Sequence, residues 1–296
     1  MTELRKKRRR RRLVLVPVAA AALFLAFLAA AQLFAHRRPY FTPGYAMVDL
    51  SPMLEQPALT REDYDTLFLQ TGLGASAVDA LLGLGEAGQA QIRATQAAFF
   101  APPQNSCESL GLFTREDHTM DGGGSLAYGF PMAPLEDGDV LLSFSTHTLG
   151  WRHGHAGLVV DAARGLTLEA VLMGTDSATV DARHWQIYST FIHLRVRDIT
   201  PEQQRAVADF ARSHLDGIPY HLTSGIFGAD KFPEADSSGF GAQCAYLVWY
   251  ALMAQGFDTD SDGGRIVTVG DLLDSPLFEV VQVYGMDPAQ FMERAS

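Results

Sequence analysis

Trp151-Arg152-His153-Gly154-His155-Ala156-Gly157-Leu158-Val159-Val160 is followed, after a short polar break, by Leu166-Thr167-Leu168-Glu169-Ala170-Val171. Both runs are short, apolar and rich in strand formers, and the break ends in Gly165, so the pair reads as an antiparallel hairpin. Alternation puts His155, Gly157 and Val159 on one face and Ala156, Leu158 and Val160 on the other. With Val160 opposite Leu166, Gly157 lies opposite Glu169. His155 is then diagonal to Glu169, within reach of a long side chain. A glutamate in so apolar a strand asks for a partner, and a carboxylate beside an imidazole fixes its tautomer. Gly157 leaves room beside the histidine for another chain or a substrate. The plainer alternatives are a hydrogen-bonded structural histidine and a Glu169 on a solvated face. His153 competes for the same role from the preceding loop.

Outward from this hairpin, Val140–Phe144, Phe191–Val196 and Phe278–Val283 read as further strands. Thr200-Pro201 opens a helix that runs to about Leu215, with Gly217 behind it. Cys244–Ala254 is apolar and helical, and Gly256 suits its left-handed end. Upstream, Thr60 and Asp63 form a capping-box pattern before a helix over 61–70. Residues 75–84 and 87–100 follow as helices, stopped by Pro102-Pro103. Ser106–Tyr128 reads as loop. The expected class is α+β: a domain over 131–290 with an antiparallel sheet and packed helices, preceded by a helical extension over 58–130 and a linker over 36–57.

The remaining N-terminal segment has a character of its own. Leu13–Ala35 carries no charge, and about 20 apolar residues cross a bilayer as a helix. Arg5–Arg12 is entirely basic, and basic flanks stay on the cytoplasmic side. Residues 1–12 are therefore expected in the cytoplasm, 13–35 as a transmembrane anchor, and the rest outside, a single-pass arrangement with the membrane as a partner. Residues 39–296 hold 13 basic and 33 acidic side chains, a net of −20. A body so acidic repels nucleic acid, and no nucleic-acid role is expected.

Cys244 stands at the start of its helix, where the dipole and free N–H groups favour a thiolate, the nucleophilic form. The alternatives are a buried small hydrophobe and a disulfide with Cys107, the other cysteine of the chain. The two cysteines lack zinc-site spacing. Asp258-Thr-Asp260-Ser-Asp262-Gly263 matches the front half of a calcium loop, but Val269 stands where the bidentate Glu belongs, so an acidic surface turn is the favoured reading. No cofactor and no metal are expected.

Four short motifs carry a family resemblance. Gly138-Asp139-Val-Leu-Leu142, Gly154-His155-Ala-Gly-Leu-Val160, Gly217-Ile-Pro-Tyr220 and Cys244-Ala-Tyr-Leu-Val248 together resemble the permuted papain-fold hydrolases of the YiiX and YaeF type. These are relatives of the NlpC-type cell-wall peptidases and of lecithin retinol acyltransferase. In that group the His strand precedes the Cys helix, which is the order in this chain. The resemblance covers roughly residues 135–285. It implies Cys244 as nucleophile, His155 as base and Glu169 as the polar third member. It also implies an acyl-enzyme mechanism on an amide or ester, with backbone N–H groups near Cys244 holding the oxyanion and Gln243 and Tyr246 as further candidates beside them.

Three functions are carried forward. The first is an extracytoplasmic amidase or peptidase, with cell-wall peptides as one substrate class. The second is a lipid or acyl-ester hydrolase or acyltransferase, with Phe227, Phe232 and Phe240 as candidate acyl contacts. The third is a non-catalytic binding module on the same scaffold.

Overall fold

The computed structural model describes residues 3–35, 41–101, 104–111, 113–224, 226, 230–235, 237 and 239–295, without the side chains of 3–14 and 32–35. Its helices are α1 (Glu3–Ala35), α2 (Ser51–Leu54), α3 (Arg61–Thr71), α4 (Ala75–Leu82), α5 (Glu86–Phe100), α6 (Pro201–His214), α7 (Cys244–Met253), α8 (Val269–Asp274) and α9 (Met292–Ala295). Its strands are β1 (Gln104–Ser109), β2 (Thr114–Met120), β3 (Val140–Ser143), β4 (Thr146–Thr148), β5 (His155–Asp161), β6 (Leu166–Glu169), β7 (Ala178–Asp181), β8 (Phe191–Val196) and β9 (Phe278–Tyr284). The class is α+β, with antiparallel sheets.

The larger sheet has the order β7-β6-β5-β3-β8-β9. Its central strands are mostly apolar and almost wholly buried because both faces are covered. Val140, Leu142, Ala156, Leu158, Val160, Ile192 and Leu194 point toward α6 and α7, among Val207, Ala211, Leu247 and Ala251. Leu141, Val159 and Phe191 point the other way, onto Trp185, Phe130 and Tyr284. Alternation alone dictates that split. Asp139, at the head of β3, is fully buried; His193 on β8 meets its Oδ2 at 2.7 Å, and Arg195 binds it through Nε and Nη2, each at 2.8 Å. Burial opposes ionisation of Asp139, but His193 and Arg195 outweigh it and hold the carboxyl below the usual range. This network ties the two central strands together at the end of the sheet away from the β3–β4 turn.

Capping places the helices. Thr60 and Asp63 close a reciprocal box on α3, and Thr200 and Gln203 do the same on α6, which Pro201 opens as its first residue. The α3–α5 layer builds a second core of Leu67, Leu81, Ile92 and Val281 against the β9 edge.

Two findings depart from the sequence reading. Residues 104–120 form a hairpin, β1 and β2, which β4 joins to make a three-stranded sheet in the order β1-β2-β4. The second concerns the N-terminus, where Leu13–Ala35 was expected to be a transmembrane anchor. That expectation is corrected: among the described residues, no helix is long and apolar enough to cross a membrane. Pro17 lies inside α1 and removes one of its backbone donors. The single-pass placement, with the body outside the cytoplasm, falls with the anchor.

Candidate active site

His155 is the first residue of β5 and pairs with Ser143 of β3. The chain enters the strand through Gly154, whose φ is +74° and where a Cβ would sit 2.4 Å from the Ser143 carbonyl oxygen. Only glycine fits that turn, so the position of His155 is set by backbone constraint. Glu169 is the last residue of β6. Leu158 pairs with Leu168 and Val159 with Thr167, which is the expected register beside the site. At the turn end a bulge intervenes and Asp161, in place of Val160, pairs with Leu166.

The Nε2–H of His155 donates to Glu169 Oε2 at 2.7 Å, with both side chains buried. Among the described residues three further donors meet the same carboxylate. Trp185 Nε1 donates to Oε1 at 2.8 Å, Thr167 Oγ1 donates to Oε1 at 2.6 Å, and His184 Nε2 lies 3.3 Å from Oε2. The Trp185 indole stacks on the His155 imidazole, with centroids 5.2 Å apart and planes 9° from parallel. Gly157 makes the room for this. A Cβ there would lie 2.7 Å from Trp185 Cζ2 and 3.1 Å from Glu169 Cγ. The space that the sequence assigned to another chain or a substrate is filled by the protein's own indole.

With Nε2 committed to Glu169, Nδ1 is the His155 nitrogen left for the thiol. Cys244 opens α7 and is partly buried; its Sγ donates to Gln243 Oε1 at 3.5 Å, and it adjoins the His155 side chain closely enough to act on its charge. Burial by itself would lower the His155 pKa. The hydrogen bonds with Cys244 and Glu169 outweigh it and raise the value to about 10. Burial likewise opposes the charge on Glu169, but the hydrogen bonds from His155 and His184 hold it well below the usual carboxylate range. The arrangement brings a cysteine sulfur, an imidazolium and a carboxylate together, with the last two charged at neutral pH.

Neighbouring residues divide into used and unused. Gln243 is the N-cap of α7: its Oε1 accepts from Ala245 N–H, and its Nε2 donates to the Val267 carbonyl. Tyr246 donates its hydroxyl to the Lys231 carbonyl. Both side chains weighed for the oxyanion, Gln243 and Tyr246, are engaged within the fold. His153 is held by Thr148 and by its own loop, and burial, reinforced by the charge of His155, lowers its pKa. Phe232 and Phe240 pack on Tyr250 in the α7 core, and Phe227 lies outside the described residues. Asp258 accepts from Trp249 and Asp260 pairs with Lys231, so those members of the calcium-like run are engaged within the fold. Cys107 and Cys244 are both free thiols. Burial, then Asp117, push the Cys107 thiol up to about 11.

Sequence reasoning did not find Thr167, His184 or Trp185. Thr167 shares a strand with Glu169 two positions away, so the alternation rule offered it. Trp185 and His184 lie on the 3-10 turn Ala182–Ile187, outside any periodic run.

No protein-family model matches this chain, and no curated protein matches it. Among solved structures it is similar to the metalloprotein yiiX from Escherichia coli O157:H7, at 15% identity and a TM-score of 0.38. The match covers 50% of this chain and 97% of that one. The likeness is to a YiiX-like structure over half the chain, and at that TM-score it carries no argument about activity.

Proposed function

We propose that the protein is a cysteine hydrolase that cleaves an amide or peptide bond through a Cys244–His155–Glu169 acyl-enzyme mechanism. The observation that carries this reading is the division of labour at His155, where Glu169 takes one ring nitrogen and leaves the other for the thiol. The His-before-Cys order along the chain is the one the permuted YiiX-type hydrolases share. In this mechanism the Cys244 thiolate attacks the carbonyl carbon, and the developing oxyanion is met by first-turn N–H groups of α7, which have no intrahelical acceptor. The Ala245 N–H is already taken by Gln243, so the Cys244 N–H is the nearest candidate donor. The His155 imidazolium gives its proton to the leaving amine, and the acyl-enzyme forms. Water, deprotonated by the now neutral His155, then attacks the acyl carbon, and the thiolate leaves.

A second reading, an acyl-ester substrate, has one observation in its favour. Val171, Leu172 and Met173 are large, consecutive and exposed just beyond Glu169, and Trp151 is exposed just before His155. Apolar groups that flank a site on both sides suit an acyl chain.

Iodoacetamide labelling of the full chain, read by mass spectrometry at each cysteine, tests the mechanism. Cys244 should label quickly at pH 6.5 and Cys107 slowly. An ordinary thiol of pKa about 8.5 is only about 1% thiolate there. His155→Ala should therefore slow Cys244 by tens of fold. A Cys244 that is inert, or indifferent to His155, would sink the proposal.

A further inference from the structure

Cys107 belongs to a second constellation, on the three-stranded sheet. It lies directly across from Asp117 in the β1–β2 ladder, and Arg115 lies directly across from His147 in the β2–β4 ladder. Residues two apart on a strand share a face. Cys107, Asp117 and His147 therefore project from three adjacent strands to the same side.

Their ligand atoms converge. Cys107 Sγ is 3.8 Å from His147 Nε2, and that same nitrogen is 3.5 Å from Asp117 Oδ1. All three atoms lie within 4.8 Å of one another. The His147 side chain is buried and Asp117 is largely so. A proton relay gives the thiol one ring nitrogen and the carboxylate the other; here both address Nε2. The separations are long for hydrogen bonds. They suit the edges of a coordination tetrahedron, because bonds of about 2.0–2.3 Å at tetrahedral angles put neighbouring ligand atoms roughly 3.3–3.6 Å apart. The carboxylate is also oriented from outside. Arg152 Nη2 donates to Asp117 Oδ2 at 2.6 Å, which turns Oδ1 toward His147. Outer partners of this kind fix the ligands of metal sites.

We propose that Cys107, Asp117 and His147 form a site for a divalent transition-metal ion of the zinc class, with three protein ligands and a fourth position open to water or a small ligand. A thiolate and an imidazole in the set favour zinc, cobalt or copper over calcium and magnesium. The two ionised ligands, thiolate and carboxylate, match the charge of the ion. The site would fasten the β1–β2 hairpin to β4, the strand from which the chain runs through Arg152 into His155.

The chain has two cysteines, so Cys244→Ala leaves Cys107 as its one thiol and removes the competing trio at the active site. Cobalt(II) titrated into the reduced full-length Cys244→Ala chain should bind near one equivalent, with a near-ultraviolet sulfur-to-cobalt charge-transfer band that zinc abolishes. Adding Cys107→Ser should remove the band, and His147→Ala should weaken zinc binding at least about tenfold. X-ray absorption on the zinc-loaded Cys244→Ala chain reads the ligands without relying on further variants. One sulfur with nitrogen and oxygen supports the site. A zinc shell without sulfur, or cobalt bound with no charge-transfer band, overturns it.

Discussion

The molecule presents thiol, imidazole and carboxylate twice, and the two trios differ in geometry. In Cys244–His155–Glu169 the proposed arrangement is a line, with Glu169 holding Nε2 and Nδ1 left for the thiol. In Cys107–His147–Asp117 they form a triangle, because thiol and carboxylate address one nitrogen. A line moves a proton from one end to the other, whereas a triangle encloses a point. Backbone origin explains the difference. The line is drawn from a strand start, a neighbouring strand end and a helix N-terminus, which approach from different directions. The triangle rises from three adjacent strands of one sheet, which all project the same way. Residue type alone does not assign the chemistry; the direction from which each side chain arrives does.

The largest effect that separates the trios is expected from the carboxylates. Glu169 receives Trp185, Thr167, His155 and His184. An amide in its place offers one oxygen and one NH2, so Glu169→Gln sets N–H against N–H on one side. It also removes the charge that holds His155 protonated and oriented. By analogy with carboxylate-to-amide changes in hydrolase triads, a fall of roughly 10²–10⁴-fold in turnover of an activated ester is expected. Asp117→Asn should leave that turnover within about threefold, as changes away from the reacting groups generally do. Equal losses from both would mean that the two trios work as one site.

Stability against pH is the next contrast. The folded pKa of His155 lies above its unfolded value, so its contribution is fully present below about pH 6.5 and is lost as pH rises toward about 10. The folded pKa of Glu169 lies below its unfolded value, so its contribution is present above about pH 4.3 and is lost as pH falls. Both are in place between those limits. Urea midpoints at pH 6 and pH 9.5 should therefore show the wild type losing stability at the higher pH. Glu169→Gln should start lower and lose less, because His155 keeps Cys244 but loses one of the two partners that raise its pKa. A slope identical in the two proteins would remove Glu169 as the source of that shift.

How far the sequence foretold these sites follows from the same physics. Strands buried on both faces, such as β5 and β8, announce themselves through dense apolar residues rich in strand formers. Capped helices such as α3 and α6 announce their first turns. The hairpin β1–β2 has no such signal. Gln-Asn-Ser-Cys-Glu-Ser over 104–109 and Thr-Arg-Glu-Asp-His-Thr-Met over 114–120 are polar on both faces, the first mostly exposed and the second half-buried to buried, so alternation has no apolar face to reveal. The juxtaposition of Cys107 with Asp117 and His147 was hidden for that reason. The pairing of His155 with Glu169 could be drawn from the register beside a short turn, and the bulge at Val159–Asp161 falls on the far side of the site. The N-terminal segment shows the opposite failure. Composition over 13–35 spoke for a membrane span, and among the described residues no helix is long and apolar enough to cross one.

The smallest effect argued is also the most local. Trp185→Phe keeps an aromatic ring against His155 and deletes only the indole N–H that donates to Glu169 Oε1. Thr167 still donates to that oxygen, so the carboxylate stays ionised and partly held. A lost hydrogen bond to a charged group costs about 1.5–3 kcal/mol at full strength, and a surviving second donor puts the change near the bottom of that range. That corresponds to roughly tenfold in rate. Cys244 alkylation at pH 6.5 should slow by about that factor, while Cys107 alkylation in the same sample serves as the internal reference and holds steady. A drop as deep as that of His155→Ala would move the burden of orientation from Glu169 to the indole. An unchanged rate would leave Thr167 and His184 as sufficient, and the stacked ring as a packing element alone.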